Sequence, residues 1–116
     1  IPGASALVAA LSAAGVGASE FLFLGFLPHK KGRNKLFSVI MASKSAVVFY
    51  DSPHRIIKTL QVLAENLAIH RNIVVARELT KIHEEFVIGS AREALEYFQK
   101  NSARVRGEFV VIVAHK

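Results

Sequence analysis

The stretch "VVFYDSPHRI", residues 47–56, changes its hydrophobic period midway and thereby indicates the fold class. Its first four residues are consecutive apolar side chains, which is typical of a strand buried on both faces. After the polar run Asp51–Arg55, apolar side chains recur at helical spacing, at Ile56, Leu60, Leu63 and Leu67. Ser52 and Pro53 suit the N-cap and first turn of that helix. A buried strand that leads directly into an amphipathic helix predicts an α/β domain.

On the amino-terminal side of this stretch, the pattern predicts a helix, a strand and a second helix. Ser5 can cap a helix that runs to about Ala14. "EFLFLGFLP", residues 20–28, indicates a strand. Its aromatic side chains, Phe21, Phe23 and Phe26, are expected in the core rather than in a platform for stacking bases. The basic loop "HKKGRNK", residues 29–35, opens the next helix, whose inner side chains would be Leu36, Phe37, Ile40 and Met41.

On the carboxy-terminal side, the pattern predicts three more strands and one helix. The segments "NIVVAREL", residues 72–79, and "EEFVIGS", residues 84–90, are joined by a link too short for a crossover helix, which predicts an antiparallel hairpin. Ser90 and Glu93 form a capping box for a helix that reaches Gln99. "GEFVVIVA", residues 107–114, is the last strand. Together these elements predict a three-layer α/β sandwich with a mixed sheet of about five strands.

Composition limits the functions that such a domain can have. The 116 residues are 52% hydrophobic, which suffices for the core of one domain, and apolar runs are too short to span a membrane. Cysteine is absent, which excludes disulfides and a Cys nucleophile and fits a cytoplasmic location. The five His show no metal-binding spacing, so we expect no metal. The net charge of +6 favours an anionic partner, and a start without Met at "IPGASA" indicates a fragment of a longer protein.

Two polar clusters follow predicted strands, at the edge of the sheet where open α/β folds bind ligands. "YDSPHR" follows the second strand and "RELTK" follows the third. If these strands are neighbours, the two clusters face each other across one rim. A capped helix start with surface charges would explain the same pattern. Unpaired charges beside buried segments are costly, however, which favours a functional rim.

Five segments of the chain closely resemble bacterial ribosomal RNA 2'-O-methyltransferases of the tetrapyrrole methylase superfamily. These are "IPGASALVAALSAAG", "FLFLGFLP", "VVFYDSPHRI", "VVARELTKIHEEFVIGS" and "GEFVVIVA". Members of that family have two α/β domains with S-adenosylmethionine in the cleft between them. The resemblance implies that residues 1–116 are the carboxy-terminal domain, and that the amino-terminal half of the donor cleft is missing from this chain.

The resemblance also implies roles for individual residues. The residues expected against the methyl donor are Pro2, Gly3, Ser5, Phe49, Tyr50, Ala76, Arg77 and Ala114. A ribose hydroxyl is a poor nucleophile near neutral pH, and the groups that could accept or orient its proton are Glu78, Lys81 and His54. The residues expected to hold RNA phosphates are Lys30, Lys31, Arg33, Arg55 and Arg77. For the loop at 29–35, a solvated helix start explains the charges equally well.

As a full-length enzyme, a protein of this kind is expected to methylate the ribose of a cytidine in small-subunit ribosomal RNA, to act in the cytoplasm and to form a homodimer. Two other functions are compatible with the sequence. One is a methyltransferase of the same superfamily that acts on a tetrapyrrole or on a modified protein side chain of the diphthine type. The other is an RNA-binding module without catalysis.

Overall fold

The structure is a computed structural model that describes residues 21–68, 70–78 and 84–115. The helix predicted over 5–14 lies outside these residues. The described elements are, in chain order, β1 (Phe21–Phe26), α1 (Arg33–Ala42), β2 (Ala46–Asp51), α2 (Ile56–Asn66), β3 (Ile73–Arg77), β4 (Glu85–Gly89), α3 (Ala91–Lys100), a short 3-10 helix (Ser102–Arg104) and β5 (Phe109–Val113).

The five strands form one mixed sheet in the order β1-β2-β5-β3-β4. β1 pairs with β2 in parallel, and the other three pairs are antiparallel. This confirms the predicted α/β fold with a five-stranded mixed sheet, including the β3–β4 hairpin. β2 and β3 are not neighbours, however, because β5 lies between them.

The described helices all cover the same face of the sheet. Side chains from α1, α2 and α3 form one buried cluster with alternate residues of the strands, among them Phe37, Leu60, Phe98, Phe49 and Val111. The opposite face carries a second buried cluster: Val48, Val74, Ala76, Val110 and Ile112. Burial on both faces explains why β2, β3 and β5 are apolar without alternation. Two layers are therefore described, and the third layer of the predicted sandwich stays a prediction.

The helix starts differ in how well they were predicted. α3 begins with the predicted capping box, in which Ser90 Oγ accepts from the Glu93 N–H at 3.0 Å and Glu93 Oε1 accepts from the Ser90 N–H at 2.9 Å. The predicted N-cap of α2 is wrong, because α2 begins at Ile56 after a turn. The Ser52 carbonyl accepts from the N–H groups of Arg55 and Ile56, while the Ser52 hydroxyl has no hydrogen-bond partner among the described residues.

A buried guanidinium, that of Arg71, joins the end of α1 to the end of β5. Arg71 is 2% exposed and donates to the carbonyls of Ala114 at 2.9 Å and Ile40 at 2.8 Å. Burial lowers the pKa of Arg71. Carbonyls in the last turn of a helix carry partial negative charge, so this cation stabilises the end of α1 where it meets the end of β5.

The aromatic side chains of β1 are only partly where the sequence predicted them. Phe21 is half-buried, but Phe23 and Phe26 are 49% and 63% exposed. The prediction that these three rings belong to the core is therefore wrong for two of them. β1 is an edge strand of the sheet, so solvent reaches side chains that a central strand would bury.

Candidate functional site

One row of four residues crosses the sheet at the carboxyl ends of β2 and β3. Asp51 and Arg77 both pair with Phe109 of β5, and Arg77 also pairs with Glu85 of β4. Since paired residues point to the same face, all four side chains lie on the helix-covered side. β2 and β3 run in the same direction, so their ends share one edge. With β5 between them, however, their backbones lie roughly 10 Å apart, or two strand spacings.

At one end of this row, the buried carboxylate of Asp51 is held by neutral donors and by one cation. Its Oδ1 accepts from the Ser52 N–H at 2.9 Å, and its Oδ2 accepts from the Thr59 hydroxyl at 2.5 Å. Arg55 Nε lies 3.9 Å from Oδ1. A backbone N–H of the turn and the guanidinium of Arg55 therefore both stabilise this carboxylate. Thr59 was not anticipated, because a buried Thr within α2 resembles any other inward residue of the helix.

The basic loop is anchored to the Asp51 cluster. Arg33 donates from Nη2 to the Thr59 hydroxyl at 2.9 Å and from Nη1 to the Pro28 carbonyl at 3.3 Å. Its guanidinium also lies over the Phe37 ring, 4.9 Å from the centroid. The prediction that Arg33 holds RNA phosphate is therefore not supported by its geometry, because its donors face the protein. Lys30 and Lys31 are exposed in the same loop.

At the other end of the row, Glu85 is the centre of a second polar cluster. Its Oε1 lies 2.7 Å from Arg77 Nε, its Oε2 lies 2.9 Å from Arg104 Nη1, and the Tyr97 hydroxyl donates to Oε2. Burial by itself would raise the pKa of Glu85. The hydrogen bonds from Tyr97 and Arg77 and the charges of Arg104 and Arg77 outweigh burial, so the pKa of Glu85 lies below its ordinary value. The hydrogen bond to Glu85 raises the pKa of Tyr97.

Arg77 was expected on an exposed rim, and this expectation is wrong. Its side chain is only 8% exposed, and its Nε is bound to Glu85. A guanidinium held in this way at the end of β3 stabilises the hairpin and is poorly placed to hold a phosphate. Glu85, Tyr97 and Arg104 were missed because they lie in three separate elements, and no spacing in the sequence indicates that they meet.

Glu78 directly follows β3 and adopts a left-handed backbone conformation with φ 56°. Its N–H donates to the Glu108 carbonyl at 3.1 Å, which holds it against the start of β5. A Cβ added to Gly107 would lie 1.5 Å from Glu78 Oε1. The Glu78 carboxylate therefore occupies the space above Gly107 that any other residue type would fill. A left-handed conformation at a residue other than glycine costs energy and often marks a functional position.

A cavity of about 520 Å³ opens beside Glu78. Its lining is mostly charged: Arg77, Glu78, Glu84, Glu85, Ala103, Arg104 and Arg106. Its volume falls in the range that ligand pockets commonly have. Carboxylates and guanidiniums in one wall suit a ligand that carries both charges.

The structure brings together only some of the residues predicted to share a site. Glu78 lies beside the cavity, whereas the exposed His54 lies in the turn after β2, beyond β5. Phe49, Tyr50, Ala76 and Arg77 lie near the common edge. Ala114 does not, because β5 is antiparallel to its neighbours and ends roughly 17 Å away at the opposite edge. Outside the described residues lie Pro2, Gly3, Ser5 and Lys81.

The described part of the chain contains neither a cluster of metal ligands nor a membrane-spanning helix. Within 21–68, 70–78 and 84–115, no group of three or more His, Asp or Glu could hold a metal ion. None of the helices in that part of the chain has the length and apolar character that crossing a bilayer requires. The expectation that the protein takes no metal stays a prediction.

The fold and the polar edge together define an α/β domain of the kind that binds ligands outside the carboxyl ends of its strands. The family model described as Tetrapyrrole (Corrin/Porphyrin) Methylases matches residues 1–95. The chain therefore belongs to the tetrapyrrole methylase family, as the sequence motifs indicated.

Named relatives agree with this family. A protein from Synechocystis, named Ribosomal RNA small subunit methyltransferase I, is 40% identical over 98% of this chain and 40% of its own length. One from Thermotoga maritima with the same name is 37% identical over 100% of this chain and 51% of its own length. The crystal structure of a cobalt precorrin-4 methyltransferase matches 94% of this chain and 48% of its own chain. The TM-score is 0.65 and the sequence identity is 14%, which shows a common fold. The chain thus spans about half or less of the relatives that it matches.

Proposed function

We propose that this chain is the carboxy-terminal half of an S-adenosylmethionine-dependent methyltransferase that modifies the 2'-hydroxyl of a cytidine ribose in small-subunit ribosomal RNA. The observation that carries this proposal is the 40% identity over 98% of the chain to a protein named for that RNA. Solved tetrapyrrole methyltransferases share the fold at much lower identity, which favours RNA over a tetrapyrrole as the substrate. The whole enzyme would act in the cytoplasm, and we propose that it is a homodimer.

Methyl transfer from a sulfonium donor requires alignment more than activation. The donor carries an activated methyl group, so the protein must hold it in line with the attacking oxygen and exclude water. A ribose hydroxyl needs a group that accepts or orients its proton. Among Glu78, Lys81 and His54, we favour Glu78, because its carboxylate borders the cavity and is fixed above Gly107.

The cavity beside Glu78 fits the amino-acid end of the donor. That end carries one ammonium and one carboxylate, and the cavity wall offers the carboxylate of Glu84 and the guanidiniums of Arg104 and Arg106. When bound, the donor supplies the methyl group and its positive sulfur. Backbone groups near Tyr50 and Ala76 remain our proposal for the adenosine end, with the missing domain as the other wall.

The phosphates of the RNA would lie against the exposed cations of the loop after β1. Lys30 and Lys31 are exposed there, and Arg55 is partly exposed in the turn after β2. Arg55 Nη1 lies 3.5 Å from His29 Nδ1, which brings the turn and the loop together. Exposed Lys and Arg side chains bind phosphate without reading sequence, so these residues would position the RNA.

The test is methyl transfer by the full-length parent protein. Small ribosomal subunits that lack the modification are incubated with methyl-labelled S-adenosylmethionine, and labelled nucleosides are identified after RNA digestion. We expect a labelled 2'-O-methylcytidine. Label that appears only when a tetrapyrrole or a diphthine precursor is supplied, with none in RNA, would contradict the proposal.

The role of Glu78 is tested in the same assay. Glu78→Gln keeps the size of the side chain and removes its basicity, so we expect kcat to fall about 100-fold or more. Glu84→Gln alters another carboxylate in the wall of the same cavity, one proposed to bind the donor's ammonium, so it should raise the KM for the donor and change kcat far less. Equal effects of the two substitutions would remove Glu78 from proton transfer.

A further inference from the structure

Two exposed rings, Phe23 and Phe26, and the partly buried ring of Tyr50 form a cluster on the edge of the sheet, which we name the aromatic patch. The Tyr50 ring lies 5.3 Å from each Phe ring, edge-on to one and tilted to the other. The patch lies on the face of the sheet that the described helices leave uncovered. Two Phe rings that are 49% and 63% exposed while contacting a third ring are typical of an interaction site.

The patch depends on a bulge in β1. Phe23 pairs with Val48 and Gly25 pairs with Phe49, so one extra residue is inserted between them. In a regular strand, Phe23 and Phe26, which are three positions apart, would point to opposite faces. The bulge restores Phe26 to the face of Phe23 and pairs it with Tyr50. Gly25 has a φ of 67°, a conformation that favours glycine, which explains the residue at this position.

All the charged residues in the segment that carries the patch are basic. Residues 21–50 contain five Lys or Arg and no Asp or Glu. Lys30 and Lys31 follow Phe26 so closely that their Cα atoms lie within about 18 Å of it even in a fully extended chain. Arg33 anchors this loop to α2 through Thr59, so the loop is held at the end of β1. Exposed rings on a segment whose charged residues are all Lys or Arg favour an anionic and aromatic occupant.

We propose that the aromatic patch stacks an unpaired nucleobase of the RNA substrate while Lys30 and Lys31 bind its neighbouring phosphates. Every base has a π-face, so such a contact binds single-stranded RNA with little dependence on sequence. A base within a duplex cannot reach the rings. The proposal rests on the proposed function in one respect: it names a contact for the RNA that the enzyme would methylate.

The experiment measures RNA binding by the full-length parent protein without the methyl donor. The probes are a single-stranded RNA oligonucleotide of mixed sequence that carries 2-aminopurine, and the same oligonucleotide annealed to its complement. Stacking on a protein ring quenches 2-aminopurine fluorescence, whereas a phosphate contact does not. The variants are Phe26→Leu, which keeps apolar bulk without a ring, and Phe26→Tyr, which keeps the ring. Ile88→Ala, at a 57% exposed residue on the same face near the other edge, is the control.

We expect Phe26→Leu to weaken binding of the single strand about 5- to 100-fold and to abolish quenching. Phe26→Tyr should keep the affinity and the quenching of the parent, and Ile88→Ala should change neither quantity. The salt dependence of binding should be unchanged in Phe26→Leu, because its phosphate contacts remain. The annealed probe should bind all variants alike.

Three results would overturn the proposal. The first is that Phe26→Leu binds and quenches like the parent. The second is that Phe26→Leu lowers the melting temperature and makes the junction between the two halves sensitive to protease, while RNA binding is unchanged. That result would show that the amino-terminal half covers the patch. The third is loss of a dimer with RNA binding intact. Failure of methyl transfer with quenching intact would contradict the proposed function and leave the stacking site standing.

Discussion

Asp51 and Glu85 lie in the same row of the sheet, and their charges are stabilised in different ways. Asp51 relies on a backbone N–H and the Thr59 hydroxyl, with its cation 3.9 Å away. Glu85 has two close guanidiniums and a phenol. Removing a charge therefore has different consequences at the two ends of the row.

Replacing Asp51 by Asn should destabilise the domain. The amide can accept one hydrogen bond through its oxygen, but its NH₂ group would face the Ser52 N–H or the Thr59 hydroxyl and leave a buried donor unsatisfied. We expect a loss of about 1–3 kcal/mol in the free energy of unfolding, measured by urea denaturation. Thr59→Val should cost a similar amount, and the double variant should cost less than the sum. Unchanged stability together with lost methyl transfer would assign Asp51 to the reaction instead.

The Glu85 cluster predicts a specific dependence of stability on pH. The pKa of Glu85 is lower in the folded protein than its ordinary value of 4.5, so the carboxylate favours folding. This contribution is fully present above the unfolded-state pKa and is lost as the pH falls from there through the folded-state pKa. We expect Glu85→Gln to flatten the loss of stability as the pH falls below about 4.5, measured by thermal melting. Glu96→Gln, an exposed carboxylate on α3, is the control and should follow the parent's profile.

At the scale of elements, the connection between β1 and α1 is a basic loop with internal anchors. Leu27 is buried, and Arg33 binds both the Pro28 carbonyl and Thr59 of α2. The four cations between Lys30 and Lys35 therefore divide into one that holds the loop and others that face solvent.

This division predicts that two substitutions in one loop affect different properties. Arg33→Gln should lower the free energy of unfolding by about 1–2 kcal/mol, because Thr59 and Pro28 lose a charged donor. Lys31→Gln should leave stability unchanged and reduce the slope of log affinity for RNA against log salt by about one. Urea denaturation and RNA binding at several salt concentrations measure the two effects. A reduced salt slope for Arg33→Gln with unchanged stability would contradict the anchoring role.

The elements could be predicted from the sequence, whereas their lateral order could not. Apolar period and capping residues are local, so β2, the hairpin and the start of α3 are visible in the sequence. Strand order depends on which buried surfaces match, and residues 47–50 carry no signal that β5 rather than β3 is their neighbour. The cluster around Glu85 was unpredictable for the same reason. The exposure of Phe26 was missed because an apolar run hides a bulge unless the conformation of Gly25 is known.

At the scale of the whole molecule, we infer that the described edge is one wall of a larger site. The charged cavity beside Glu78 is open, and the relatives are about twice as long as this chain or more. We propose that the missing length supplies the other wall.

Residues 1–116 alone should therefore fold, bind S-adenosylmethionine at least 100-fold more weakly than the full-length protein and transfer no methyl group. Without the other wall, the donor loses polar contacts and one of its faces stays in water, and both changes lower its affinity. A tenfold change in affinity corresponds to about 1.4 kcal/mol. Isothermal titration calorimetry on both proteins, with circular dichroism to verify folding, measures this. Equal affinity of the two proteins would place the entire donor site within this chain.

The position of β5 has a consequence for biosynthesis. It follows the other four strands along the chain, yet it lies at the centre of the sheet, between β2 and β3. While the ribosome is still making this segment, the β1–β2 pair and the β3–β4 hairpin have no strand to join them, and each leaves an apolar edge exposed. The sheet cannot be completed until β5 emerges, and any strand pair that forms earlier has an open edge at which it can mispair or bind a chaperone.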